Sequence, residues 1–244
     1  MDAVTERQNS STDHRAARRS LADRVYRQLR DLIVSLKLSP GSTLSETDLT
    51  GRLGVSRTPL RQALHRLQRE GFVFVTRAGS VARLVVAPLT TEDMRELHAI
   101  LGVLEGLAAR EAAAQPEKRR TSLARRLRQL NDELRRAWRE GPLRVRDAQD
   151  LHVQFHRAFV ESAAGRRLRA ELDSLQPQVE RYERVYTAAL ASEFEDSLVE
   201  HDGIIAAIDA GDADAAERAV VTNWRRGTDR YTRIVASLGE RGNW

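Results

Sequence analysis

Apolar residues recur along the first third of the chain at helical spacing, then briefly at strand spacing, and then at helical spacing again to the end. Leu21, Val25, Leu29, Leu32, Ile33 and Leu36 fall on one face of a helix, which Pro40-Gly41 brings to a stop. Ser45 precedes a short helix that carries Leu49 and Leu53 and closes at Gly54. Ser56 opens the next, with Leu60, Ala63, Leu64 and Leu67 on its inner side and Gly71 as its C-cap. The period then shortens. Phe72–Thr76 and Ala82–Val86 are β-rich runs split by Arg77-Ala78-Gly79-Ser80, which predicts a hairpin. Beyond Pro88, Thr90 with Asp93 three residues on forms a capping box. Breaks near Pro116, Gly141-Pro142, Gly165, Ser192 and Gly211 then divide the remainder into helices over 91–114, 117–138, 145–163, 166–190, 193–209 and 212–237. Residues 1–16 are polar and aperiodic, and read as a flexible arm. The expected fold is mainly α: an arm over 1–16, a small helical unit with a hairpin over 17–87, and an all-α bundle of about six helices over 88–244.

Composition narrows the class. Of 244 residues, 41% are apolar, enough for a core, and the 31% that are charged carry both signs, which excludes a wholly disordered chain or a collagen. With no cysteine there is no disulfide, no thiolate-ligated zinc and no thiol nucleophile. No apolar run is long enough to span a bilayer, and residues 1–20 lack a signal peptide's apolar stretch. A soluble cytoplasmic protein with no membrane partner is the expectation. The charge is uneven: residues 1–87 hold 15 basic and 8 acidic residues, whereas 88–244 hold 25 and 27. A basic first third beside a near-neutral remainder points to a nucleic-acid reader joined to something else, although solubility alone also explains a basic surface.

The stretch LTGRLGVSRTPLRQALHRL, residues 49–67, fits a helix-turn-helix with its tight turn at Gly54-Val55. Its second helix would enter the major groove by the N-terminal end. Ser56 and Thr58 can donate there to phosphates or base edges, and Arg57 and Arg61, four apart, share a face that can reach guanine or phosphate. Pro59 lies in the first turn, where its missing N–H costs nothing. The hairpin tip, with Arg77 and Gly79, can reach the adjacent minor groove or backbone. A small helical subdomain with solvated arginines has the same charge spacing.

The segment from Leu29 to Val75 resembles the winged helix-turn-helix of GntR-type bacterial transcriptional regulators. The shared pieces are Pro40-Gly41, Leu44-Ser45-Glu46, Gly54-Val55-Ser56-Arg57-Thr58-Pro59, Arg61, Ala63-Leu64, Leu67 and Gly71. The resemblance implies operator contacts from Arg57, Thr58, Arg61 and the wing tip, a homodimer, and double-stranded DNA with a short inverted-repeat operator. Thr47 stands where the family often has a DNA-reaching arginine.

In the second part, His152 and His156 are spaced i,i+4, so both rings leave one side of a helix, a workable pair of ligands for zinc, nickel or another divalent ion. Solvated or core-satisfied histidines are the other reading of that spacing. His201 lies within another helix. Residues 90–238 resemble the FCD ligand-binding domain of FadR-like GntR regulators, most clearly in LEGLAAREAA (104–113), HVQFHRAFVESAAGRRL (152–168) and EHDGIIAAIDAGDADAAERAV (200–220). The resemblance implies a metal site. His152 stands at the family's Asp position, His156 and His201 at two His positions, and Asn223 where a last His is expected. Such a nitrogen-rich set favours Zn, Ni or Co over Mn or Mg. The family also implies a small carboxylate effector. Its pocket glutamate is Glu105 here, but Leu101 replaces an arginine often found four residues earlier, so Tyr182, Arg184 and Tyr186 become candidates to line the pocket.

A three-histidine site with an open position can activate water, yet no spacing picks out Glu161, Glu200 or Asp202 as a base. A reader fused to a sensor accounts for the whole chain and an enzyme only for its second half, so no enzymatic activity is expected. The expectation is a repressor released or modulated by a small organic acid in a metal-containing pocket. A tethered metal-dependent enzyme or metal sensor, and a metal-free bundle that mainly dimerises, are the alternatives.

Overall fold

The computed structural model describes residues 21–78, 81–140, 145–190 and 194–242; the arm expected over 1–16 and the tip residue Gly79 lie outside them. Contacts divide the chain into two compact units. One runs to Leu89 and takes in the chain end from Arg241, and the other is Thr90–Glu240.

The first unit holds α1 (21–34), α2 (Glu46–Leu53), α3 (Arg57–Arg69) and the strands β1 (Val73–Ala78) and β2 (Val81–Val86). Ser45 caps α2 by accepting from the Asp48 N–H, and Gly54 ends it at φ 63°, a left-handed backbone that glycine takes without a Cβ clash. That turn sets α3 off at once. Leu60, Ala63, Leu64 and Leu67 then bury the face of α3 that the periodicity picks out, against Val25, Leu29 and Ile33 of α1 and Phe72, Val73 and Val86 of the hairpin. The strands are antiparallel, Val73 opposite Val86 and Thr76 opposite Arg83. The expected face of α1 is shortened at its end. Leu36 lies past the helix at φ 62°, where the Leu38 N–H reaches back to the Leu32 carbonyl at 2.9 Å.

The second unit is six helices: α4 (Thr91–Ala113), α5 (Glu117–Arg139), α6 (Val145–Ala163), α7 (Arg166–Tyr186), α8 (Phe194–Ala210) and α9 (Ala213–Leu238). Thr90 and Asp212 cap α4 and α9 through their side chains. The expected fourth helix of the bundle is shorter than its pattern: α7 stops at Tyr186 and tightens into a 3₁₀ turn, Thr187–Leu190. Leu101, Ala108, Leu127, Phe155, Phe159, Ile204, Ile208 and Val220 form its core. Helices α4 and α9 pack closely because α4 offers glycines. A Cβ at Gly102 would lie 3.1 Å from Trp224 Cβ, and one at Gly106 would lie 3.1 Å from Val221 Cγ2 and 3.3 Å from the Glu217 carbonyl. No helix among the described residues is long and apolar enough to cross a membrane.

Candidate functional site

Helix α6 brings His152 and His156 to one side, and α8 brings His201 to meet them. One ligand atom from each lies within 4.8 Å of the other two. Hydrogen bonds fix which nitrogen the deeper two can offer. Glu105 of α4 accepts from His156 Nδ1 at 2.7 Å and from the Trp224 indole N–H at 2.7 Å. Asn131 of α5 gives away its amide hydrogens, to the Leu198 carbonyl at 3.1 Å and the Asp202 carboxylate at 2.8 Å. Its Oδ1 is therefore the acceptor that faces His201 Nδ1 at 3.0 Å. In both rings Nδ1–H is the donor, which leaves Nε2 as the nitrogen each can offer. Both Nε2 atoms are buried and have no hydrogen-bond partner among the described residues. A histidine that bonds through one nitrogen to a carboxylate or amide and offers the other is the usual arrangement of a metal ligand. Burial, followed by the neighbouring histidines and Arg230, holds His201 well below the ordinary imidazole range. Burial does the same for His152, with His156 the next cause. Neutral rings are the form that binds a cation. The donor set therefore fits a divalent metal.

Two of these histidines, His152 and His156, border a cavity open to solvent. His152, His156 and Asn223 line it, together with His98 of α4, Gln149 of α6, Glu183 and Thr187 at the end of α7, Ser197 of α8, and Trp224, Gly227, Arg230 and Tyr231 of α9. His98 repeats the tautomer logic. The Thr228 hydroxyl donates to the Trp224 carbonyl at 2.9 Å and so accepts from His98 Nδ1 at 3.1 Å, leaving His98 Nε2 buried without a partner among the described residues. Burial lowers the His98 pKa to about 4. Burial, then Glu180, raises Glu183 to about 7.

Not every pocket candidate comes to the cavity. Glu105 stands behind His156 as its acceptor. The Tyr182 hydroxyl donates to Asp93 at 2.6 Å and accepts from the Thr90 N–H at 3.1 Å, which ties α7 to the start of α4. Tyr186 donates to the Gly239 carbonyl at 3.0 Å, and Arg184 pairs with Glu180 one turn back along α7. The polar pattern of α7 alone does not tell which way these side chains face, because the helices packed against it decide that. Asn223 lines the cavity but turns its amide outward to Glu200, 2.8 Å away.

In the first unit, Ser56 stands at the N-cap of α3 with no side-chain capping bond. Arg57, Thr58 and Arg61 follow in the first turns, all exposed. Arg61 pairs with Glu46 of α2 at 2.9 Å. Arg77 is exposed on β1.

Residues 21–82 match the family described as bacterial regulatory proteins, gntR family, and residues 96–226 match the FCD domain. This chain belongs to the GntR family and carries an FCD domain. This GntR regulator is 30% identical over 223 residues to an uncharacterized HTH-type transcriptional regulator in an unstable DNA locus of Streptomyces ambofaciens, a match covering 88% of this chain and 87% of that one. It is 29% identical over 227 residues to a probable D-xylose utilization operon transcriptional repressor of Paenarthrobacter nicotinovorans, covering 90% and 89%. A crystal structure of a putative transcriptional regulator GntR from Rhodococcus sp. RHA1 shares its fold, with a TM-score of 0.61 at 24% identity over 87% of this chain and 97% of that one. These relatives are transcriptional regulators, and this chain is a DNA-binding regulator of the same GntR type with an FCD domain.

Two residues of the cavity carried a usable signal in the sequence of this GntR regulator. His98 is seven residues before Glu105 on α4, and Arg230 seven after Asn223 on α9. Two helical turns return nearly to the same face, so each sits on the side already marked.

Proposed function

We propose that this GntR regulator is a homodimeric repressor that reads a short inverted-repeat operator and is released by a small carboxylate bound at a metal in its helical bundle. Ser56, Arg57, Thr58 and Arg61 would meet the major groove at the start of α3, with Arg77 and Gly79 of the wing beside it. The helix N-terminus favours a phosphate there. The name of the Paenarthrobacter relative supports repression.

The observation that carries the effector half is the pair of buried Nε2 atoms on His156 and His201 that have no partner among the described residues, each ring fixed from behind by Glu105 or Asn131. His152 completes the set. Three imidazoles favour zinc or nickel, with Asn223 offering a weaker carbonyl oxygen once its amide stays with Glu200. A bound metal would supply a positive centre for a carboxylate; the chain supplies the three imidazoles and the cavity beside them. A carboxylate held there by α6 and α8 would shift the balance between two packings of the bundle, and with it the placement of the reading heads on their half-sites.

Elemental analysis of protein purified without a His-tag tests this directly. Near-stoichiometric zinc or nickel, lost in His156→Ala and His201→Ala, is the expected result. Protein that stays metal-free even after reconstitution would sink the metal half. Arg57→Ala/Arg61→Ala tests the other half: specific operator binding should vanish, and its survival would mean that α3 is not the reading helix.

A further inference from the structure

The cavity holds a buried cation as well as the histidines. Arg230, 10% exposed at its side chain, grips Glu200 with two parallel bonds, Nη1 to Oε1 at 2.8 Å and Nη2 to Oε2 at 3.0 Å. The same Glu200 takes the Asn223 amide at 2.8 Å, with Arg226 at 3.7 Å. Arg230 and Asn223 both line the cavity, whereas Glu200 does not. One carboxylate from α8 is thus the shared acceptor of two cavity donors on α9.

A guanidinium buried in such a wall requires a carboxylate, since an unpaired charge there is strongly destabilising. Its planar fork fits any carboxylate equally well. Exchange of one carboxylate for another therefore conserves the bonds on the arginine, and releases the first to water.

We propose that Arg230 and Asn223 form an anion subsite for a second acidic group of the effector, and that Glu200 is the internal occupant which that group displaces. The effector class is then a small dicarboxylic acid, one carboxylate at the histidine site and the other at Arg230. This rests on the acid-effector reading above. It also gives the signal a route, because Glu200 is the residue before His201 and ties α8 to α9 through Asn223 and Arg230. Displacing it unties the two helices beside a metal ligand.

The test is calorimetric titration of the zinc-loaded full chain with succinate and with propionate. Succinate should bind ~10-fold tighter or better, as expected of one additional charge-assisted contact. Arg230→Gln should erase that preference, and Arg230→Lys should restore part of it. Glu200→Gln should tighten succinate severalfold, because the competing occupant loses its charge. Equal affinities for the two acids, or a preference that persists in Arg230→Gln, would overturn the subsite and leave the acid-effector reading standing. If neither acid binds, both readings fall. If Arg230→Gln does not fold, Glu200→Gln decides the matter: unchanged or weaker succinate binding defeats the proposal.

Discussion

His201 donates its Nδ1–H to the side-chain oxygen of Asn131, which is held in turn by the Leu198 carbonyl and Asp202. The imidazole therefore turns Nε2 to the histidine cluster without a search over tautomers. Asn131→Leu should lower zinc affinity by roughly 10–100-fold, measured by competition with a chromophoric chelator in protein whose helicity is intact. Unchanged affinity would mean that Asn131 only supports the fold. His98 carries a different prediction. Its folded pKa is about 4, below the ordinary 6.5, so the unfolded chain takes the proton first and stability falls as pH drops below 6.5. Glu183, raised to about 7, works the other way and adds stability as pH falls from there toward the usual carboxylate range, so the two are separated by difference. Between pH 6.5 and 5 the wild-type chain should lose about 1.6 kcal/mol relative to His98→Gln, the slope approaching 1.36 kcal/mol per pH unit only once the unfolded imidazole is mostly protonated. Urea unfolding of both proteins at the two pH values measures it, and parallel curves would contradict the assignment.

At the scale of elements, helix ends were legible where they carry chemistry of their own. Ser45, Thr90 and Gly54 mark boundaries because each satisfies or releases a backbone group locally. The inward face of α3 was legible for the same reason, a single stripe with one core behind it. The end of α7 was not: Thr187 turns away to meet Tyr231 at 2.9 Å and Gln149 at 3.1 Å, and both partners are remote in sequence. Nor did the chain announce that Tyr182 and Tyr186 bond to the ends of α4 and α9, because either could face the cavity in an isolated helix. The histidine site was half legible. The i,i+4 pair is visible in α6, but His201 joins it only through the packing of α8, which resemblance and not spacing brought forward. The closeness of α4 and α9 is likewise invisible until Gly102 and Gly106 are seen against Trp224 and Val221. Gly106→Leu should destabilise the bundle by about 1–3 kcal/mol, the usual cost of overpacking. A melting temperature equal to wild type would show that α9 yields freely.

For the whole molecule, regulation requires that effector and operator each favour a different state of one protein. Coupling of this kind is reciprocal for binding free energies. If a carboxylate weakens operator binding by some factor, saturating operator must weaken that carboxylate by the same factor, typically ~5–150-fold. Fluorescence anisotropy of labelled operator with and without effector, set against calorimetry with and without operator, gives the two numbers independently. Unequal factors would show that a third species, such as a dissociating dimer, enters the cycle.

Trp224 is a fluorophore set against two histidines. Its indole N–H is bonded to the carboxylate that orients His156, and its ring lies 5.5 Å from that histidine and 5.1 Å from His98. Trp138, by contrast, packs in the cluster of Leu134, Ala137, Ala148 and Leu198. Imidazoles quench indole emission differently when free, protonated or metal-bound, and the hydrogen bond to Glu105 sets the emission colour. The protein thus contains its own optical probe beside the histidine cluster, and a Trp138→Phe/Trp244→Phe variant, with Trp224 as its one remaining tryptophan, would make the filling of the cavity visible without any label.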